Sequence, residues 1–353
     1  MRYVWYTAAL PAYRRSCLEV LAERLGDQDW RVFTGDDLSD RTVRTDLPPE
    51  MYVAVSNFHL FGNRLIFQWG HWPTVLGAST AILDLNPRSI TAWIILAARR
   101  ALGRRTLLWG HLHPRRGPSA PTARLRAMMR RLANGCVVYS HADGRRLAES
   151  AKTKVWVAPN ALYRRADLVF AESSARTLVL YVGRLEPEKK VGLLLTGFAE
   201  IADERPEWTV GIVGSGSQAE DLMSLARRLS LEDRVVFHGA LESPRELAAL
   251  YAQAHCAVSP GPVGLALTQS LGFGVPMVLA DHERHGPEIE LADPACTVLF
   301  RAQSSSDLAL ALLSPALRLD DAARRTVVDR MQREYSAESM ADGFLRALQD
   351  QPS

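Results

Sequence analysis

The chain has 353 residues, 47% hydrophobic and 23% charged, a globular balance that excludes a fibrous, repetitive or disordered protein and, at this length, asks for two cores. Its net charge of +3 conceals halves of opposite sign: residues 1–170 hold twenty-five basic and thirteen acidic side chains (+12), and residues 171–353 hold seventeen and twenty-six (−9). Cys17, Cys136, Cys256 and Cys296 are far apart with no CxxC spacing, which excludes a disulfide framework or zinc site, and no apolar run approaches the ~18 residues of a membrane span.

The opening MRYVWYTAALPAYRR breaks its apolar residues with polar and charged ones, unlike a signal peptide, so a cytoplasmic protein is expected. Short β-rich runs follow, RYVWY, WRVF, TAILDL, RTLLW, GCVVYS and KVWVA, separated by helical stretches, and this alternation predicts parallel sheets covered by helices. SITAWIILAARRAL is apolar around nearly its whole circumference and reads as a helix packed on a sheet. Residues 121–133 read as a basic amphipathic helix, with Arg124, Arg126, Arg130 and Arg131 interleaved with Leu125, Met128, Met129 and Leu132. Such a helix suits either a solvated face or peripheral contact with an anionic membrane, here the inner face of the plasma membrane. No nucleic-acid module accompanies the arginines, so nucleic acid is not an expected partner.

After APN at 158–160 a polar stretch leads into a second series: LVLYVG, a helix over 190–202, WTVGIVG, a helix over 217–229, RVVFHG, a helix over 244–253, CAVSP, a helix over 264–272, and PMVLA. The boundary falls near residue 164. The domains read as 1–163, 164–335 and a final helix at 336–353, after a break near Tyr335 and Ser336, that returns to the first domain.

Three loops at strand ends in the second series carry matching chemistry, because ligands of open α/β sheets bind outside the carboxyl ends of strands. VGRLEPEKK ends a strand at Gly183 and places Arg184 and, five positions on, Lys189 where both can reach an anion. IVGSGSQAEDL has Gly214 and Gly216 around Ser215 for a tight turn, with Ser217 as N-cap. SPGPVGLALTQSLGFGVPMV brings Gly261 and Gly264 before a helix that carries Gln269.

With PN at 159–160 before these loops and FHG at 237–239 between them, their order and spacing resemble family 4 glycosyltransferases, retaining enzymes of the GT-B fold. PAYRRSCLEVLAERL and RRTLLWGHLH resemble a bacterial branch that builds surface or secondary-metabolite glycans. The resemblance implies two Rossmann-like domains facing across a cleft, with the terminal helix packed back on the first. It also implies a nucleotide-diphosphate sugar as co-substrate and a glycan, lipid-linked or small-molecule acceptor, with no metal.

Residue by residue, the resemblance implies that Arg184 and Lys189 bind the donor diphosphate. The donor site would be completed by Gly183, Gly214, Ser215, Gly216 and His238, by the backbone of Val263, Gly264 and Leu265, by Gln269 at the ribose and by Glu288 near base or ribose. His111, after RTLLW, would meet the donor sugar, and Pro11, Tyr13 and Arg14 belong to the acceptor loop. The family's two glutamates separated by seven residues are replaced by Gly261 and Gln269. Gln269 can still bond hydroxyls, whereas Gly261 has no side chain to hold a sugar.

Two other readings stay open: a GT-B sugar-nucleotide epimerase and a catalytically silent GT-B scaffold. Neither His111 with His113, nor His282, Glu283, His285 and Glu288, has a metal-ligand spacing, and Asp27 and Asp29 read as a turn.

Overall fold

The computed structural model describes the chain except residues 27, 39–42, 113–119, 151–152, 171, 173–175, 242 and 352–353, so Asp27 and His113 lie outside the described residues. It divides into two compact units, Met1–Leu162 with Ala337–Ser353, and Tyr163–Ser336.

The first unit runs β1 (Tyr3–Thr7), α1 (Arg15–Leu25), β2 (Trp30–Thr34), β3 (Val53–Ala54), β4 (Ser56–Leu60), β5 (Leu65–Trp69), α2 (Trp72–Gly77), β6 (Thr80–Asp84), α3 (Ile90–Ala101), β7 (Arg105–Trp109), α4 (Thr122–Leu132), β8 (Gly135–Val138), α5 (His141–Ser150) and β9 (Lys154–Val157). The second runs β10 (Leu178–Val182), α6 (Val191–Ala199), β11 (Thr209–Val213), α7 (Ala219–Arg228), β12 (Val235–Gly239), α8 (Pro244–Gln253), β13 (Ala254–Ser259), α9 (Leu265–Gly272), β14 (Met277–Ala280), β15 (Thr297–Phe300), α10 (Ser305–Leu312) and α11 (Asp321–Glu334). A last helix, α12 (Ala337–Gln349), belongs to the first unit.

Each unit is built on a parallel sheet, in the order β3-β2-β1-β6-β7-β8-β9 in the first and β12-β11-β10-β13-β14-β15 in the second. Helices cover both faces of such sheets, which is why the central strands YVWYT and LVLYV are apolar without alternation: all five residues of β1 are buried, and four of five in β10. Some of the helices start at side-chain caps. Ser89, Ser304 and Asp320 accept from the amides of Ala92, Asp307 and Ala323 at the starts of α3, α10 and α11.

The expected helix over SITAWIILAARRAL is α3, which buries Ala92, Ile95 and Leu96. Helix α12 packs on α1 and β9 and sets Phe344 against the Trp5–Trp109 pair, at centroid distances of 4.9 and 5.8 Å. Burying Met340, Phe344 and Leu348 contributes about 1.5–3 kcal/mol each, enough to fix the return of the chain to its first unit. Arg105 reinforces this by donating to the carbonyls of Ala347 and Leu348 at 2.7 and 2.9 Å. Among the described residues no helix is long and apolar enough to cross a membrane.

Candidate functional site

The second sheet reverses its strand order between β10 and β13, so the loops leaving their carboxyl ends part and leave a crevice, the usual ligand position in a doubly wound sheet. Lys189 bridges that crevice: its Nζ donates to the Pro262 carbonyl at 2.8 Å, joining the loop after β10 to the loop after β13. Arg184, 58% exposed at its side chain, donates through Nη2 to Glu188 at 3.2 Å. Lys190 sits in the left-handed region at φ +53° and pairs with the half-buried Glu283.

The glycine turn after β11 lies backbone to backbone against the first loop. Gly183 donates to Val213 at 3.0 Å, Gly214 to Gly239 at 2.7 Å, and Leu185 to Ser215 at 2.8 Å. Gly214 and Gly216 have φ of +143° and +157°, and a Cβ on either would run into the carbonyls of Gly183 and Leu185. His238 is half-buried on β12, its Nε2 beside Gly211 on the neighbouring strand.

Ser217, read from sequence as the N-cap of the next helix, does something else. Its hydroxyl donates to Glu186 at 2.7 Å and its amide at 3.3 Å, while α7 begins after Gln218 with no side-chain cap. These bonds to Ser217 hold the Glu186 carboxyl below its ordinary range.

Gly261 is set by packing: a Cβ there would press on the Glu188 carbonyl oxygen and lie 3.0 Å from the carbonyl carbon and oxygen of Lys189. The loop then passes to α9, whose N-cap is Gly264 without a side-chain bond, leaving the first amides of the helix directed at the crevice end. Buried Glu288 places a carboxylate oxygen beside Gly264 and Gly286.

Two residues expected at the donor site are engaged by partners within the protein. The Val263 amide donates to His285 Nδ1 at 3.1 Å, and the Val263 carbonyl accepts from Gly286 at 2.7 Å, so this backbone is committed within the protein. His285 Nε2 faces the Ala280 carbonyl at 3.0 Å, which makes it the protonated nitrogen and Nδ1 the acceptor; burial lowers the His285 pKa and favours that neutral form. The Gln269 carboxamide is likewise engaged: buried, it donates to the Tyr163 hydroxyl and accepts from Tyr251 at 3.3 Å. Burial pushes the Tyr163 hydroxyl up to about 12, so it remains a hydroxyl at neutral pH.

In the first unit His111 follows β7, exposed, with its ring 4.6 Å from Tyr139 and its carbonyl accepting from Arg126 at 3.0 Å. Pro11 is half-buried and Tyr13 exposed. Arg14, the last residue of the expected acceptor loop, is buried. Its guanidinium lies about 5 Å from the rings of Tyr13, Trp109 and Tyr139 and donates to the Met340 sulfur at 3.3 Å, because α12 closes over it.

Sequence reasoning passed over Asp84, at the carboxyl end of β6 beside the switch point of the first sheet. Its carboxylate accepts from the Thr7 hydroxyl at 2.7 Å and the Ala8 amide at 2.9 Å, and burial raises its pKa to about 6. A lone carboxylate ending the apolar run TAILD was the available signal. Glu283, Lys190 and Tyr163 left no such signal, since each acts through partners distant in sequence.

The family Glycosyl transferases group 1 matches residues 169–315, less than half of the chain and within the second unit apart from its edges. Alpha-monoglucosyldiacylglycerol synthase of Streptococcus pneumoniae is 28% identical over 167 residues, 46% of this chain and 36% of that one. D-inositol 3-phosphate glycosyltransferase of Segniliparus rotundus is 30% identical over 179 residues, 48% of this chain and 38% of that one. This chain thus spans under two-fifths of the length of these two curated relatives.

Over the full length the fold is similar to the lipopolysaccharide outer core galactosyltransferase WaaB (TM-score 0.68, 16% identity, 99% of both chains). It is also similar to Anabaena Alr3699/HepE in complex with UDP (TM-score 0.72, 16% identity, 99% of this chain and 100% of that one). Residues 169–315 are therefore similar to the family Glycosyl transferases group 1, in a chain of GT-B fold.

Proposed function

We propose that the protein is a retaining family 4 glycosyltransferase that moves a sugar from a nucleoside-diphosphate sugar to a glycan, lipid-linked or small-molecule acceptor. The observation that carries this is Lys189 spanning the crevice at the switch point of the second sheet, with Arg184 on the same loop and the uncapped start of α9 opposite. Relatives named for diacylglycerol and lipopolysaccharide glycosylation support a lipid-linked or glycan acceptor.

Departure of a nucleoside diphosphate places charge on the leaving oxygens. Cations and amides fixed around them stabilise the transition state more than the ground state, and this assigns Arg184, Lys189 and the amides of Gly264 and Leu265 to the diphosphate. Gly183, Gly214, Ser215 and Gly216 give the backbone floor, and Glu288 serves the ribose or base. Gln269 acts from behind, holding Tyr163 and Tyr251. In retaining transfer the leaving phosphate assists removal of the acceptor proton, so no carboxylate nucleophile and no metal enter the reading. His111, with Pro11 and Tyr13, belongs to the sugar and acceptor side, and α4 presents Arg124 and Arg131 with Leu125 and Met128 for peripheral contact of a cytoplasmic protein with anionic membrane.

The test is thermal shift with a panel of UDP-, GDP- and ADP-sugars, since a ligand at 100 times Kd stabilises by about 2.7 kcal/mol. A shift with one of them, abolished in Lys189→Ala, supports the reading. No shift with any would favour the silent scaffold, to which the bare Gly261 position points; release of an epimerised sugar nucleotide without acceptor would favour the epimerase.

A further inference from the structure

The β4–β5 hairpin of the first unit is amphipathic in the reverse sense. Its inward face is largely polar: Asn57 Nδ2 donates to the carbonyls of Ala8 and Asp37, both at 2.8 Å, His59 meets Asp37 at 2.7 Å, and Gln68 Nε2 donates to the Thr7 carbonyl at 2.8 Å. Its outward face is apolar. Phe58 pairs with Phe67, Leu60 with Leu65, and Ser56 with Trp69. Phe58 is 49% exposed, Leu60 37%, Trp69 60%, and Phe61 at the turn 76%. Contiguous exposed apolar surface of this kind marks a docking site.

The charge around it selects the occupant. Asp37 is bound on the inward face to Asn57 and His59, and the cations beside the hairpin turn lie toward solvent. Arg64 at the hairpin turn and Arg88, whose carbonyl accepts from Ile66 at 2.9 Å, are both exposed. The hairpin packs on α3 and α3 on α4, and Arg100, Arg104, Arg124 and Arg131 on and beside those helices are exposed. A second copy would bring like charge against like, and a neutral glycan would leave the arginines unanswered. An anionic bilayer answers both features, taking aromatic side chains at its interface and arginines at its head groups.

We propose that the outward face of the β4–β5 hairpin is a membrane-docking wedge, with Phe61, Phe58 and Trp69 entering the interface of an anionic bilayer. Because the inward face holds the backbone of Thr7 and Ala8, docking also fixes the loop that follows β1 relative to the lipid surface. This assignment stands apart from the donor-site reading.

The experiment is sedimentation of the intact protein with vesicles of phosphatidylcholine alone and of phosphatidylcholine with phosphatidylglycerol. Wild type should bind the anionic vesicles. The Phe61→Ser, Trp69→Ser double variant should lose about tenfold or more in partition, since each aromatic forfeits its buried area. Its melting temperature and its shift with sugar nucleotides should not change. Brominated acyl chains should quench tryptophan fluorescence in wild type and less so in Trp69→Phe. Equal partition of variant and wild type, no binding by wild type, or a dimer in lipid-free solution that the double variant dissolves would each overturn the wedge. Loss of the sugar-nucleotide response with vesicle binding intact would count against the donor reading alone.

Discussion

Replacing Gly261 by alanine probes the packing of the two loops at the donor site more sharply than any charge change. The added Cβ would press on the Glu188 carbonyl oxygen and lie 3.0 Å from the Lys189 carbonyl carbon and oxygen. These are backbone atoms of a short 3-10 turn, Pro187–Lys189, that cannot rotate away as a side-chain end would. One loop must move, at the cost of overpacking a well-fitted site, about 1–3 kcal/mol. For a unit of this size, at roughly 2–4 °C per kcal/mol, its melting temperature should fall by about 2–12 °C.

The same displacement lengthens the Lys189 bond to Pro262, so the response to sugar nucleotides should weaken together with the melting temperature. Differential scanning calorimetry with and without nucleotide sugar measures both, and Gly77→Ala, where a Cβ meets nothing within 4 Å, is the neutral control. If Gly261→Ala melts within ~1 °C of wild type and binds donor equally, the loops are not in the contact described and glycine is not sterically required. By the same reasoning, Gly261→Glu will not restore the family's first glutamate: its backbone place is already filled.

Arg184→Ala and Lys189→Ala should each lower turnover by about 10²–10³, by analogy with loss of one oxyanion donor, and the double variant should fall less than the product; native turnover in both singles refutes the diphosphate assignment. Gln269→Leu leaves the Tyr163 and Tyr251 hydroxyls without their partner and should cost about 1–3 kcal/mol of stability; an unchanged melting temperature with a raised donor KM would instead restore Gln269 to the ribose. His255, buried with its pKa lowered to about 4 by desolvation and then by Arg324, is protonated first in the unfolded chain. It therefore contributes up to ~3 kcal/mol above its ordinary pKa, lost as pH falls toward about 4, and urea titrations across that window should show a decline that His255→Gln flattens. Asp84 has the opposite sign: with its pKa raised to about 6, it favours the fold most at low pH and loses that contribution as pH rises from about 4 through about 6, a slope that Asp84→Asn should remove.

The alternation of β-rich runs with helical stretches was enough to read parallel sheets covered by helices, because strands buried on both faces must be apolar along their length and crossover helices must separate them; the GT-B class came from the resemblance of the loops. Local chemistry was legible to the same depth. Gly214 and Gly216 are glycines because the turn needs positive φ, and Arg184 and Lys189 follow a strand end because the loop begins there.

Partners across the chain were not legible. The Val263 amide is taken by a histidine twenty-two positions on, Gln269 by a tyrosine 106 positions back, and Arg14 by a sulfur 326 positions away. A hydrogen-bonding side chain reads the same whether its partner is a ligand or the protein, and only the folded chain decides which. The hairpin shows this limit most plainly. Strand period two sorts Phe58, Leu60, Phe67 and Trp69 onto one face of residues 56–69, but periodicity carries no sign, and the carbonyls of Thr7, Ala8 and Asp37 drew the polar face inward and left the aromatic one to the outside.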